Sequence, residues 1–326
     1  MFRSVSMIAL AAAAVLAGAG TAAAQDTKVR LLLDWGWTPY HAAFLLAEDR
    51  GYYKQAGLDV TIEQGRGSNS TAILVGQGGF DVGHLNVTNA AHSISKGVPI
   101  KVVALYQHKT AAAFIGMAEK VKLTGPDSLK GLKIGSTPGG SDGLSMSIFR
   151  KVNKIPDGEL NIVSLDANTK TAALLNGQVD VVSGDSHAYK AIVRGAGKEP
   201  VALQLADYGV PLLGFGFAAN NDFIKKNPDA VRKLIAASRR GFQDAAADPD
   251  AACKFIQSKV NLPGKHSQCV DYMTGLFELS TPAGDASWGK QTPEEWAKLI
   301  AAMESVGEIP PGGKKPDEYY TNEFVQ

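Results

Sequence analysis

The sequence predicts an α/β protein of two lobes, each a mostly parallel sheet flanked by helices, joined by a two-strand hinge. Three observations predict it. Short apolar runs alternate with helical segments, which implies parallel strands covered on both faces. The order strand, helix, strand, helix, strand occurs twice, and Gly79-Phe80-Asp81-Val82 is echoed by Gly177-Gln178-Val179-Asp180-Val181. The C-terminal third reads as amphipathic helices with no sheet of its own.

In the first unit, residues 28–33 (KVRLLL) are a buried strand and residues 34–41 a loop. Residues 42–53 read as a helix that ends at Gly57, and residues 58–62 (LDVTI) as the second strand. A helix covers 68–75, with Ser68 as its candidate cap. Residues 80–83 are a short strand, 88–96 a helix and 100–106 a strand. The second unit repeats this: a strand within 129–135, a helix over 141–152, a strand over 161–165, a helix over 170–176 and a strand over 178–182. Helices follow over 227–246, 251–259 and 292–306, with Pro228 and Pro293 at first-turn positions. This tail is expected to return and cover the first lobe. The lobes are then residues 28–113 with 216–326, and residues 114–215, with crossovers near 110–116 and 213–217. A cleft between hinged lobes is where a ligand binds.

The bulk composition fits a globular protein: 326 residues, 45% hydrophobic and 20% charged. A formal net charge of +1 argues against a nucleic-acid partner, which calls for a basic face. Residues 1–24 differ from the rest. Arg3 precedes an apolar run over 7–19, and Ala22-Ala23-Ala24 offers small residues for cleavage. This is a secretory signal peptide cut near Ala24, shorter than the ~20 apolar residues of a membrane span. The mature chain is therefore expected in an oxidising compartment, the periplasm. Its two cysteines, Cys253 and Cys269, are either a disulfide or two buried thiols.

Ligands of open α/β sheets bind beyond the carboxyl ends of the strands. In the first such loop, Trp35, Trp37 and Tyr40 offer flat faces for a ring, between Asp34 and His41. The second carries Arg66, suited to a carboxylate or phosphate, and Ser68. The third carries Asn86, which both donates and accepts. The fourth runs from strand to helix through Thr137, Gly140, Ser141 and Asp142, a helix start that attracts anions or carbonyls. It is neither a P-loop nor a dinucleotide fingerprint. A fifth places Asp185 and Tyr189 after a second-lobe strand, Asp185 as ligand acceptor or helix cap. His41, His84 and His92 match no standard zinc spacing, and no nucleophile stands with a base. No catalytic residue, metal or cofactor is assigned, and the chain is expected not to be an enzyme.

The run LDWGWTPYHAAFLLAEDRGYYKQAGLDV, with FDVG, KGVPIKVVALY, LKGLKIGSTPGGSD and LNGQVDVV, resembles the nitrate/sulfonate/bicarbonate and thiamine-pyrimidine-precursor binding proteins of ABC importers, the NMT1/THI5-like family. The resemblance covers roughly residues 29–242. It implies a type II periplasmic binding fold, a monomer that closes on a small molecule, and docking on a membrane permease with its ATPase. In the pyrimidine-binding branch, first-loop aromatics sandwich the ring, a role that falls on Trp35 or Trp37. The pyrimidine-synthesising enzymes of the same fold carry a CCCFC signature, which this chain lacks. With Arg66 as the one obvious cation, a planar heterocyclic or aromatic ligand is expected. The alternatives are a small sulfonate, nitrate or an aromatic carboxylate.

Overall fold

The computed structural model describes residues 26–137, 141–262 and 264–325. The signal peptide expected over residues 1–24 lies outside them. Among the described residues the strands are, in chain order, β1 (Thr27–Leu32), β2 (Leu58–Glu63), β3 (Val82–Asn86), β4 (Ile100–Leu105), β5 (Ala112–Met117), β6 (Lys133–Ser136), β7 (Asn161–Ser164), β8 (Val181–Asp185), β9 (Pro200–Gln204) and β10 (Phe215–Asn220).

These strands make two five-stranded sheets with equivalent orders, β2-β1-β3-β10-β4 and β7-β6-β8-β5-β9. In each, the first three strands pair in parallel. One strand is reversed: β10 runs antiparallel to β3 and β4, and β5 antiparallel to β8 and β9. The cause is the crossover. β5 follows β4 and β10 follows β9, so each reversed strand arrives from the other lobe. It enters at the carboxyl edge of the parallel strands and must run back along them. Burial on both faces explains why β4 reads as a nearly continuous apolar run, whereas β1 keeps Lys28 and Arg30 exposed.

The helices are α1 (Ala42–Asp49), α2 (Tyr52–Gln55), α3 (Ser68–Gly76), α4 (Val87–Ser95), α5 (Ser141–Val152), α6 (Ala167–Leu175), α7 (Ser186–Gly195), α8 (Asn221–Lys226), α9 (Pro228–Ala247), α10 (Pro249–Lys259), α11 (His266–Leu279), α12 (Pro293–Ser305) and α13 (Pro316–Tyr319). The single helix expected over 42–53 is two, because Gly51 takes φ 68° and ends the first. Helix α9 lies so close on α1 that a Cβ at Gly241 would sit 2.0 Å from the Ala43 carbonyl oxygen.

The hinge is displaced from its expected place. Residues 112–117 are β5, inside the second sheet, and the crossing segments are residues 106–111 and 209–214. They are tied to each other: Gly214 N–H donates to the Gln107 carbonyl at 2.9 Å, and Thr110 N–H to that of Leu212 at 2.9 Å.

The tail covers more than the first lobe. Helix α11, which the sequence reading missed, packs on α7 of the second lobe, with the rings of Tyr272 and His187 6.0 Å apart. Trp296 of α12 belongs to a buried cluster that holds Leu105 of the first lobe and Phe149 of the second. Cys253 of α10 and Cys269 of α11 form a disulfide, 16 residues apart. Closing a loop of that length limits the unfolded chain by about 3 kcal/mol.

Candidate ligand-binding site

A cleft of about 630 Å³ lies where the carboxyl ends of both sheets meet the hinge. Of the residues singled out from the sequence, Asp34, Trp35, Tyr40, Arg66, Ser68, Asn86, Thr137 and Asp185 line it.

The first-lobe wall is built on two joined loops. Gly67 N–H donates to the Asp34 carbonyl at 2.7 Å, and Trp37 N–H to Gln64 Oε1 at 3.0 Å. Gly67 has φ 128°, and a Cβ there would lie 3.6 Å from the Trp35 ring, so its backbone passes close under that indole. Trp35 is 54% exposed and stands at the mouth. Deeper in, Tyr40 packs 5.1 Å from Phe215 and stacks on Tyr272 at 5.9 Å, centroid to centroid. These three rings form an aromatic wall.

Behind that wall lies a buried polar network. Tyr40 Oη donates to Asp34 Oδ2 at 2.7 Å. His41 Nε2 and His84 Nδ1 lie 3.0 and 3.1 Å from Asp34 Oδ1. Thr38 N–H donates to His41 Nδ1 at 3.2 Å, which puts the His41 proton on Nε2, facing the carboxylate. Burial drives the Asp34 carboxyl up, but the hydrogen bonds and charges of His41 and His84 outweigh it and hold it well below the usual carboxylate range. Burial lowers His41 and pushes the Tyr40 hydroxyl far up. The donor atoms of Asp34, His41 and His84 lie close enough to share a metal ion. The sequence reading, which tested His41, His84 and His92, did not consider this trio.

The second-lobe wall centres on Asp185. Its Oδ1 accepts from His187 N–H at 2.9 Å and Ala188 N–H at 3.0 Å, capping α7. Asn86 does the same for α4, and its own N–H donates to Ser68 Oγ at 3.0 Å. The expected cap at Ser68 is instead Gly67.

Three expected contacts fall elsewhere. Trp37 packs against the first-lobe core because its N–H is tethered to Gln64 and its ring turns inward. His41 is buried in the Asp34 network. Tyr189 packs against the second-lobe core beside Gly184, with Lys170 Nζ 5.4 Å from its ring. Gly140 lies outside the described residues, and Ser141 and Asp142 open α5.

The sequence reading missed Gln107, Lys170, Phe215 and Tyr272, which also line the cleft. Lys170 corrects the count of cations. It is 5% exposed, and its Nζ donates to the Ser183 carbonyl at 2.8 Å. Placed four residues into α6, it reads in the sequence as an ordinary helix lysine.

A family model described as NMT1/THI5 like matches residues 38–252. The chain belongs to this family. Among curated relatives of this NMT1/THI5-like protein, the 4-amino-5-hydroxymethyl-2-methylpyrimidine phosphate synthase THI13 of Saccharomyces cerevisiae is 24% identical over 91% of the chain and 88% of its own length. The riboflavin-binding protein RibY of Chloroflexus aurantiacus is 28% identical over 93% of the chain and 88% of its own. Among solved structures, the periplasmic aliphatic sulphonate binding protein SsuA from Escherichia coli superposes with a TM-score of 0.71 at 14% identity, over 92% of this chain and 99% of that one. The fold is thus that of the two-lobed periplasmic binding proteins. The expectation that the chain is not an enzyme is overturned: curated relatives that match nine tenths of the chain are named pyrimidine phosphate synthases.

Proposed function

We propose that this protein is the solute-binding component of an ABC importer. It is exported to the periplasm, holds a planar heterocyclic or aromatic ligand between its lobes, and delivers it to a permease. One observation carries this reading: the cleft joins an aromatic wall of Tyr40, Phe215 and Tyr272 to capped helix starts from both lobes, beside two hinge segments. A flat ring needs such a face and such edges, whereas nitrate would leave the aromatic wall unused. The similarity to a riboflavin-binding protein points the same way. A thermal-shift panel of thiamine pyrimidines, flavins, aromatic acids, taurine and nitrate tests it. A ligand that binds only the folded form raises Tm by mass action. At least one ring compound should raise it; a rise with taurine or nitrate alone would overturn the reading.

The relatives named phosphate synthases favour a second reading, synthesis of the pyrimidine. Expression of the chain without its leader in a strain lacking that synthase distinguishes them. Restored growth without added pyrimidine would favour synthesis.

A further inference from the structure

We infer that the ligand carries an anionic oxygen group on its ring, and that Gln107 reads this group at the hinge. The inference rests on the solute-binding reading above and names the ligand class of the same cleft.

Gln107 lies in the first crossing segment, is 1% exposed and lines the cleft. Its amide has one orientation. Oε1 accepts from Phe215 N–H at 3.1 Å, and a flipped amide would set its NH2 against that N–H. The side chain is wedged against Gly214, where a Cβ would sit 2.0 Å from Oε1. Among the described residues Nε2 has no hydrogen-bond partner. Buried polar groups are nearly always met, so this donor calls for an acceptor supplied from the cleft. Phe215, whose N–H orients the amide, is itself part of the aromatic wall. The donor therefore stands at the edge of the surface that takes the ring.

The walls select an anion. Lys170, whose Nζ donates to the Ser183 carbonyl, brings a buried positive charge from the second lobe, and Arg66 an exposed guanidinium from the first. The two carboxylates on the wall are engaged by protein donors, Asp34 by Tyr40, His41 and His84, and Asp185 through Oδ1 by two N–H groups of α7. A carboxylate or sulfonate on a ring matches this arrangement, and a cationic amine does not.

Calorimetric titration of the full chain with matched pairs tests this: uracil against orotate, and benzamide against benzoate. The anionic member of at least one pair should bind about tenfold or more tighter than its neutral partner. Gln107→Glu keeps the size but replaces the donor with an acceptor, and should remove that preference. Lys170→Met should reduce it. Equal or stronger binding of the neutral members to the wild-type protein overturns the inference, whether or not a variant folds, and leaves the solute-binding reading standing. An unchanged ratio in a folded Gln107→Glu protein also overturns it. If no ring compound of either charge binds, the solute-binding reading itself fails and takes the inference with it.

Discussion

Asn86 and Asp185 are the same position of the two lobes. Each ends a strand, each caps the next helix by accepting from the N–H groups two and three residues on, and each pairs with the first residue of a reversed strand, Phe215 and Ala112 respectively. Both line the cleft. The internal repeat thus places one polar cap from each lobe at the cleft, next to the two chain crossings.

The caps have separable roles. Asn86→Ala and Asp185→Ala should each cost about 1 kcal/mol of stability, the worth of a helix cap. Asp185→Asn keeps the accepting oxygen and should leave the urea midpoint unchanged. A loss as large as that of Asp185→Ala would mean that charge, not capping, is what matters there.

The two first-loop tryptophans should part company. Trp35 stands exposed at the cleft mouth, whereas Trp37 packs on the core. Trp35→Ala should weaken binding of the best ring compound by about tenfold with little change in stability. Trp37→Ala should instead lower stability by roughly 1–3 kcal/mol and leave affinity within about threefold. Titration calorimetry and urea unfolding of both variants check this.

Removing the carboxylate that three donors share should be costly. Asp34→Ala leaves the His41, His84 and Tyr40 groups buried without their acceptor. A loss of about 3–5 kcal/mol is expected. Chemical denaturation should show it, and Asp34→Asn should recover part.

The pH dependence follows from the same burial. Burial lowers both His41 and His187 below the usual histidine value of about 6.5. Below that value the unfolded chain takes up protons that the folded protein refuses, so stability falls as the pH drops. Asp34, lowered in the fold, adds a further loss as the pH falls through and below its ordinary value near 4. Thermal melts from pH 8 to pH 4 should show Tm declining from about pH 6.5 downward. His187→Gln should flatten the upper part of that decline. Its surroundings include the charges of Asp185, Lys190 and Glu278, none of which changes in the variant.

The parts of the site that local sequence controls were legible. Asp34, Trp35, Tyr40, Arg66 and Asn86 sit at strand ends whose apolar runs and following helices are visible along the chain. The parts set by distant packing were not. Tyr272 reaches the cleft only because α11 is clamped to α10 by the disulfide and lies on α7. Gln107 follows the strand read over residues 100–106 and carries no local signal, and it belongs to the hinge because β10 returns beside β4. Lys170 sits in the first turn of α6, and only the fold brings its Nζ to the Ser183 carbonyl of β8.

The central claim is that one ligand is held by both lobes at once. Hydrogen exchange with and without the ring compound that gives the largest thermal shift tests it most directly. The account predicts added protection at the starts of both capped helices, residues 86–89 and 185–188, and along the crossing segments. Protection confined to one lobe, or centred on the separate cavity between Phe242 and Trp288, would contradict it.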